Sequence, residues 1–200
     1  MSGPIDDPPP GTGPAPVVRR ATPADAAACL RVYAPYVRET TATFEDRVPT
    51  VDEFEARISR ALEHHDWLVA ELDGRVAGYA YAGPVKERAA YRWSCEVSVC
   101  GARAARGHGL GRSLYTSLFA RLEEVGFRRL LAVVTLPNHP SVALHLSMGF
   151  REAGRLERIG FKHGRWLDVA RLQAGLGPDP AAPPARPAPP RTAAAGSSRG

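Results

Sequence analysis

The sequence contains little cysteine and no long apolar run. Its three cysteines, Cys29, Cys95 and Cys100, are odd in number and lack the paired spacing of a metal site. This favours reduced thiols in a cytoplasmic protein over a disulfide framework. No apolar stretch approaches the roughly 20 residues that span a bilayer, and the N-terminus lacks the basic-then-apolar pattern of a signal peptide. We therefore expect a cytoplasmic protein with no membrane segment and no bound metal.

Large apolar residues are also scarce at both ends of the chain. Residues 1–16 and 175–200 are rich in Pro, Ala and Gly, so they cannot bury enough surface to offset the entropy lost on ordering. They are predicted to be disordered tails on either side of one domain at residues 17–174. The chain has 200 residues and is 44% hydrophobic, which suffices for one compact core.

The balance of charges gives only a weak indication of the ligand. Lys and Arg number 26 against 21 for Asp and Glu, which gives a formal net charge of +5. Such a balance suits an anionic ligand, a nucleic acid or simply a solvated surface. The arginines are not interleaved with stacking aromatic residues and match no nucleic-acid-binding motif. Nucleic acid is therefore not an expected partner.

The predicted domain alternates strand and helix patterns. Thr50 and Glu53 form a capping box at the start of a helix. Asp73-Gly74 predicts a tight hairpin turn, because both residues readily adopt positive φ angles. His163-Gly164 predicts the turn of a closing hairpin. Together these patterns predict the element order β-α-α-β-β-β-α-β-α-β-β.

Three glycines and two arginines fall within residues 106–113, RGHGLGRS, directly before a helix in which leucine recurs every fourth residue from Leu110 to Leu122. The first amides of a helix are unpaired, and glycines let phosphate oxygens approach them. The stretch has neither the lysine of a P-loop nor the G-x-G-x-x-G spacing. On this evidence alone, a phosphate cradle and a plain glycine-rich helix start are equally good interpretations.

Several segments in order resemble one family. The pattern Arg106-x-x-Gly109-x-Gly111 follows the strand Glu96-Val97-Ser98-Val99 and precedes LPNHPSVALHLSMGF; WLVAELDGRVAGYAYAGP and GFKHGRW also match. About residues 17–173 resemble the GNAT acetyltransferases, and within them most closely the phosphinothricin N-acetyltransferases. The sequence departs from that pattern in having Arg106 where Gln is usual and Cys100-Gly101 where Tyr-Val is usual.

The resemblance implies a GNAT fold of the α/β (α+β) class, with a mixed, mostly antiparallel central sheet flanked by helices. It also implies a homodimer that uses acetyl-CoA as co-substrate. The implied cofactor contacts are strand backbone at Val99, Cys100 and Gly101, the pyrophosphate loop Arg106, Gly107, His108, Gly109, Leu110, Gly111 and Arg112, and Asn138 with Ser147 near the pantetheine. From the sequence alone, Asn138 is equally well a turn or cap residue.

The acceptor site implied by the resemblance consists of Phe44, Lys86, Arg88, Ala89, Ala90, Tyr91 and Lys162. Without the resemblance, Lys86 and Arg88 are ordinary exposed loop charges. The implied reaction acetylates the α-amine of phosphinothricin or a related glutamate analogue, such as methionine sulfoximine or methionine sulfone, as a detoxification or resistance activity. Plain glutamate is expected to be a poorer acceptor, because its planar carboxylate places its acceptor oxygens differently from a tetrahedral phosphinate or sulfone. The alternatives are a different small amine or amino acid, and a non-catalytic acyl-CoA sensor.

Acetyl transfer to an amine requires a base, because a free α-amine is largely protonated at neutral pH. Glu96 is the candidate, since it lies among small and apolar strand residues, where partial burial is expected to raise its pKa; the alternative is a solvated or ion-paired strand glutamate. By the resemblance, His145 protonates the departing thiolate, and its alternative is a histidine that is simply hydrogen-bonded. A backbone amide near Val99 is the expected oxyanion donor.

Cys95 and Cys100 flank Glu96 and raise the possibility of an acyl-cysteine intermediate. No histidine and acid with a recognisable local signature accompany either thiol. Both are therefore predicted to be small fillers of a strand.

Overall fold

The computed structural model describes residues 15–177 and residue 187. Most of both predicted tails lies outside these residues. The described part contains a seven-stranded sheet and four α-helices in the predicted order. The strands are β1 Val17–Arg20, β2 Trp67–Leu72, β3 Arg75–Pro84, β4 Ser94–Gly101, β5 Arg129–Thr135, β6 Arg151–Lys162 and β7 Arg165–Gly175; the helices are α1 Ala26–Glu39, α2 Val51–His64, α3 Leu110–Glu124 and α4 His139–Ser147.

The sheet has the strand order β1-β2-β3-β4-β5-β7-β6. Every pair is antiparallel except β4 and β5, which run parallel. The predicted mixed, mostly antiparallel sheet is therefore confirmed. Because a parallel pair needs a crossover connection, α3 lies between β4 and β5 in the chain.

Two clusters of apolar side chains cover the two faces of the sheet. The leucines of α3, Leu110, Leu114, Leu118 and Leu122, are buried against one face, as their four-residue spacing predicts. On the other face, α1 and α2 bury an aromatic group that includes Phe54 from α2 together with Trp67 and Tyr79 from the sheet. This second face also carries the side chain of Cys100, so the cysteine packs as a small core residue.

The predicted caps and turns are present. Thr50 Oγ1 accepts a hydrogen bond from the Glu53 amide, and the Glu53 carboxylate accepts one from the Thr50 amide at 2.8 Å. Both hairpin turns use left-handed backbone, with φ of 50° at Asp73 and 48° at His163. These local signals fix where α2 begins and where the β2–β3 and β6–β7 hairpins turn.

Within residues 15–177, no helix is long and apolar enough to cross a membrane. No group of three or more His, Cys, Asp or Glu side chains in that range is arranged to hold a metal ion.

Candidate active site

Strands β4 and β5 pair over only three residues each and then separate. Their parallel pairing joins Ser94–Glu96 to Arg129–Leu131, whereas β4 stays paired with β3 as far as Gly101. Beyond Glu96 the two strands form opposite walls of a cavity of about 580 Å³. Its other walls come from the start of α3, from α4 and from α1.

Every second residue of β4 directs its backbone N–H and C=O groups into the gap between β4 and β5. On the β5 side, the Trp93 carbonyl accepts bonds from the Arg128 and Arg129 amides; on the β3 side, the Ala102 amide donates to Ala77. Backbone groups of successive strand residues point to opposite sides, and the β3–β4 register is regular. It follows that Val97, Val99 and Gly101 present their N–H and C=O groups to the gap.

This geometry corrects one predicted contact. Cys100 is paired with Tyr79, and its backbone groups point toward β3 rather than into the gap. Gly101 does face the gap, but its carbonyl already accepts a 2.6 Å hydrogen bond from the Tyr36 hydroxyl. Of the three predicted strand residues, Val99 therefore has the free backbone groups best placed to bind an extended ligand.

The N-terminus of α3 opens into the same cavity. Gly107 and Gly109 have φ angles of 84° and 67°, in the left-handed region that suits glycine. The Ser113 amide makes the first helical hydrogen bond, to Gly109, so the preceding amides of residues 110–112 have no helical acceptor. These amides and the partial positive charge of the helix end can bind an anion such as a pyrophosphate.

Gly111 has a different role from Gly109. A Cβ at Gly111 would lie 2.8 Å from Leu144 Cδ2, whereas a Cβ at Gly109 would meet nothing within 4 Å. Gly111 thus allows α3 to approach α4 closely, and Gly109 leaves the space in front of the helix amides open. His108 does not line the cavity, because its ring turns back to the Arg106 carbonyl at 3.1 Å.

Asn138 and Ser147 lie at opposite ends of α4. Asn138 is the N-cap of α4, since its Oδ1 accepts from the Ser141 amide at 3.3 Å, and it also lines the cavity. Ser147 does not line the cavity. Its hydroxyl donates to the Leu144 carbonyl and accepts from Arg112 at 2.9 Å, so it ties the start of α3 to the end of α4.

Glu96 stands where β4 and β5 separate. Its carboxylate makes no hydrogen bond to another residue of the described part. Burial raises the pKa of Glu96, and the positive charges of Arg171 and Lys86 act in the opposite direction. Glu96 pairs with Gly83 of β3, and a Cβ on that glycine would meet nothing within 4 Å. Since directly paired residues share a face, open space lies beside the carboxylate.

Comparison with known proteins identifies this arrangement. Residues 18–170 match the family model described as an acetyltransferase (GNAT) domain. The chain belongs to the GNAT acetyltransferase family. It is 42% identical over 152 residues to the phosphinothricin N-acetyltransferase of Streptomyces viridochromogenes, covering 76% of this chain and 83% of that protein.

Two further relatives agree. The chain is 35% identical over 163 residues to the L-methionine sulfoximine/L-methionine sulfone acetyltransferase of Salmonella typhimurium, covering 80% of this chain and 94% of the relative. The crystal structure of a GNAT phosphinothricin acetyltransferase from Sinorhizobium meliloti in complex with acetyl-CoA has a TM-score of 0.77 and 36% identity to it, over 82% of this chain and 89% of that one. Acetyl-CoA is the co-substrate of this family, and the present acetyltransferase has the splayed strands and open helix end that fit it.

In this acetyltransferase, His145 is fully engaged in hydrogen bonds. The side chain is 3% exposed. Its Nδ1 lies 2.7 Å from the Ser141 carbonyl and must donate to it, which leaves Nε2 to accept from the Tyr115 hydroxyl at 2.9 Å. Burial lowers the pKa of His145, so the ring is neutral near pH 7. This geometry favours the alternative of a hydrogen-bonded histidine over protonation of the thiolate by His145, because no ring N–H of the neutral imidazole points into the cavity.

Lys162 is also placed differently from the prediction. Its ammonium group is buried and donates to three backbone carbonyls, those of Val37, Thr43 and Glu45, at 2.8 to 2.9 Å. All three N–H donors are used, so none remains for a substrate. Lys162 instead fastens the segment after α1 to strand β6.

Phe44 lies between the two loop carbonyls that Lys162 holds. Its ring covers Gly160 of β6 so closely that a Cβ there would fall 2.3 Å from the ring. The side chain remains 42% exposed. Phe44 is therefore positioned by Lys162 and Gly160, and it does not line the cavity between the strands.

The remaining predicted acceptor residues lie on the loop between β3 and β4. Lys86 and the short 3-10 helix Ala89–Tyr91 are exposed, as is Arg88, whose carbonyl accepts the Tyr91 amide at 3.0 Å. The Lys86 charge reaches Glu96. The structure thus places Lys86 where its charge acts on Glu96 and presents Arg88, Ala89, Ala90 and Tyr91 to solvent on the same loop.

Sequence reasoning missed Tyr115, Tyr36 and Arg171. Tyr115 could have been found from the leucine pattern of α3, because it follows Leu114 on the buried face. Tyr36 and Arg171 gave no comparable signal, since their partners are 65 and 75 positions away in the chain.

Proposed function

We propose that this protein transfers the acetyl group of acetyl-CoA to the α-amine of phosphinothricin or a related glutamate analogue, such as methionine sulfoximine or methionine sulfone. The observation that carries the proposal is the position of Glu96. It lies at the point where β4 and β5 separate, beside the open space over Gly83 and between two cations. The relatives that act on these compounds support the choice of acceptor.

Glu96 acts as the general base in this proposal. A carboxylate with a raised pKa can accept the proton of an ammonium group near neutral pH. The Glu96 carboxylate makes no hydrogen bond to another residue of the described part, so it is available to do so. The amine then has a free lone pair for attack on the thioester carbonyl. The proton passes to the Glu96 carboxylate, directly or through water, and from there to solvent. The tetrahedral intermediate collapses with cleavage of the C–S bond, and CoA leaves as a thiolate that takes a proton from solvent, while the second amine proton is also released to solvent.

Val99 serves as the oxyanion donor. Its N–H points into the gap, and a backbone amide held in a sheet needs no reorganisation when negative charge develops on the carbonyl oxygen. The amides of residues 110–112 and the side chains of Arg106 and Arg112 bind the pyrophosphate at the other end of the cavity.

We propose a positioning role for His145 in place of proton donation. Its Nε2 fixes the Tyr115 hydroxyl, and both rings line the cavity. The pair shapes the wall near the thioester with neutral, fully satisfied groups.

The experiment is a thiol-release assay with acetyl-CoA and a panel of acceptors. The panel contains phosphinothricin, methionine sulfoximine, methionine sulfone, glutamate, a polyamine and a peptide with a free N-terminus. We expect turnover of the first three and weaker turnover of glutamate. Turnover of only the polyamine or the peptide would contradict the proposed acceptor, and acetyl-CoA binding without any turnover would indicate a sensor.

An Arg88→Ala variant refines the same assay. If Arg88 contacts the distal anionic group, its loss raises KM for phosphinothricin far more than KM for acetyl-CoA. Equal KM values in the variant and the wild type would remove Arg88 from the site.

We also propose that the protein forms a homodimer. The hairpin of β6 and β7, at the edge of the sheet, exposes Ile159, Phe161 and Trp166 to solvent by 57%, 60% and 53%. Clustered large apolar side chains of this kind favour burial against another surface. Sedimentation equilibrium tests the proposal. A cytoplasmic location and a detoxification or resistance role remain predictions from the sequence.

A further inference from the structure

A cation on strand β7 faces the base from the side opposite the β3–β4 loop. Glu96 pairs with Leu131 of β5, and Arg171 of β7 pairs with Val133 of the same strand. Paired residues share a face, and residues two apart in a strand share it too. Glu96, Leu131, Val133 and Arg171 therefore project from the same face of the sheet.

The guanidinium of Arg171 is free to bind a ligand. It is exposed, and it makes no hydrogen bond or ion pair with any residue in the range 15–177. Its positive charge nevertheless lowers the pKa of Glu96, and its effect is larger than that of the Lys86 charge. The arginines of strand β1 differ from Arg171, since Arg19 and Arg20 are both ion-paired with carboxylates.

The surface around Arg171 leaves room for a small molecule. Its partner on β6 is Gly154, which has no side chain, and a Cβ there would meet nothing within 4 Å. On the far side of Glu96, Gly83 is equally open. One opening therefore lies beside Glu96, over Gly83, and the other lies beside Arg171, over Gly154.

We propose that Arg171 binds the α-carboxylate of the amino-acid acceptor. This rests on the proposed function, because it takes the acceptor to be an α-amino acid. The α-amine and the α-carboxylate are separated by one carbon atom, so the group that binds the carboxylate must lie close to the base that receives the amine proton. Arg171 meets this requirement, and its planar guanidinium matches a carboxylate with two parallel hydrogen bonds.

The assignment divides the acceptor between two cations. Arg171 holds the α-carboxylate over β5, and Lys86, with the loop that carries it, remains for the distal phosphinate, sulfoximine or sulfone. An acceptor held at both ends presents its amine between them, above the gap that opens beyond Glu96. Selectivity for α-amino acids over simple amines then follows from Arg171.

The test compares two acceptors that differ only at the carboxylate: L-methionine sulfone and its primary carboxamide. KM and kcat are measured for both with the wild type, Arg171→Met and Arg171→Gln. Arg165→Met, at the start of the same strand and also exposed, is the matched control. Each variant is compared with the wild type for one acceptor at a time, so the different amine basicities of the two acceptors cancel.

We expect both Arg171 variants to raise KM for methionine sulfone by about 10- to 100-fold, as for loss of a charge-assisted hydrogen-bonded pair. The KM for the carboxamide and for acetyl-CoA should change less than about threefold, and Arg165→Met should change none of them. Thermal melting confirms that the variants fold.

Two results overturn the inference. If wild-type turnover is normal and the Arg171 variants leave KM for methionine sulfone unchanged, or raise it equally for the carboxamide, Arg171 does not bind the carboxylate. If the wild type acetylates neither this acceptor nor any other amino acid of the panel, the proposed function fails, and the inference fails with it.

Discussion

The Tyr115 hydroxyl donates a 2.9 Å hydrogen bond to Nε2 of His145, between two side chains that are 0% and 3% exposed. The bond joins α3 to α4 at the cavity wall. Because Nδ1 of His145 is bound to the Ser141 carbonyl, the imidazole has no second donor to offer. This relationship decides how both residues are expected to respond to mutation.

Tyr115→Phe should lower the free energy of unfolding by about 1–2 kcal/mol, because it leaves Nε2 buried without a partner. If the pair only shapes the wall, kcat should fall by less than about tenfold. Urea unfolding and steady-state kinetics measure the two effects. A loss of 100-fold or more in kcat at unchanged stability would instead indicate that Tyr115 and His145 take part in proton transfer.

Glu96→Gln should lower kcat by about 100-fold or more, as expected when a positioned general base is lost. The dissociation constant for acetyl-CoA should not change, since the amide retains the size of the acid. Glu87→Gln, on the exposed β3–β4 loop, is the control and should behave as the wild type. Near-normal turnover by Glu96→Gln at neutral pH would exclude Glu96 as the base.

The carboxyl of Glu96 should titrate above the usual pKa of about 4.3 for glutamate, because burial disfavours its charged form. Arg171 and Lys86 favour the charged form, so Arg171→Met and Lys86→Met should each move the titration to higher pH. A ¹³C NMR titration of the side-chain carboxyl in the free protein measures these midpoints. A midpoint at or below about 4.3 would contradict the prediction.

Gly109→Ala should weaken acetyl-CoA binding by about tenfold, because a methyl group enters the open space before the α3 amides and the left-handed backbone is strained. Gly74→Ala is a matched control, with a φ of 71° and equally open surroundings in the β2–β3 turn. Both variants should lose similar stability. Isothermal titration calorimetry should show weaker binding only for Gly109→Ala; equal affinities would argue against the phosphate cradle.

Lys162→Met should lower the free energy of unfolding by about 3 kcal/mol, because three carbonyls lose a charged donor at once. Lys86→Met, at an exposed position without such bonds, should change it by less than about 0.5 kcal/mol. Chemical denaturation measures both. A Lys162→Met variant of wild-type stability with a raised acceptor KM would instead support the substrate contact predicted from the sequence.

The sequence by itself determined the order of the elements and the position of helix α3, whose N-terminus opens into the cavity. Caps, hairpin turns and leucine spacing are local patterns. They can be predicted from the sequence because their causes lie within a few residues of each other. Glu96 was also a candidate from its immediate neighbours, since small and apolar strand residues indicate the burial that raises its pKa. The family resemblance was needed to prefer it over a solvated or ion-paired strand glutamate.

Only the tertiary structure decided which polar groups remain free. Lys162 looked available in the sequence, yet its three acceptors lie more than 115 positions away. His145 is saturated by Tyr115, from another helix. The charge of Arg171 acts on Glu96 because β7 lies next to β5, an adjacency that the chain order does not contain. A donor that the fold places within about 3 Å of an acceptor is already hydrogen-bonded and is not available to a ligand. The free donors of a site are therefore determined by packing rather than by residue type.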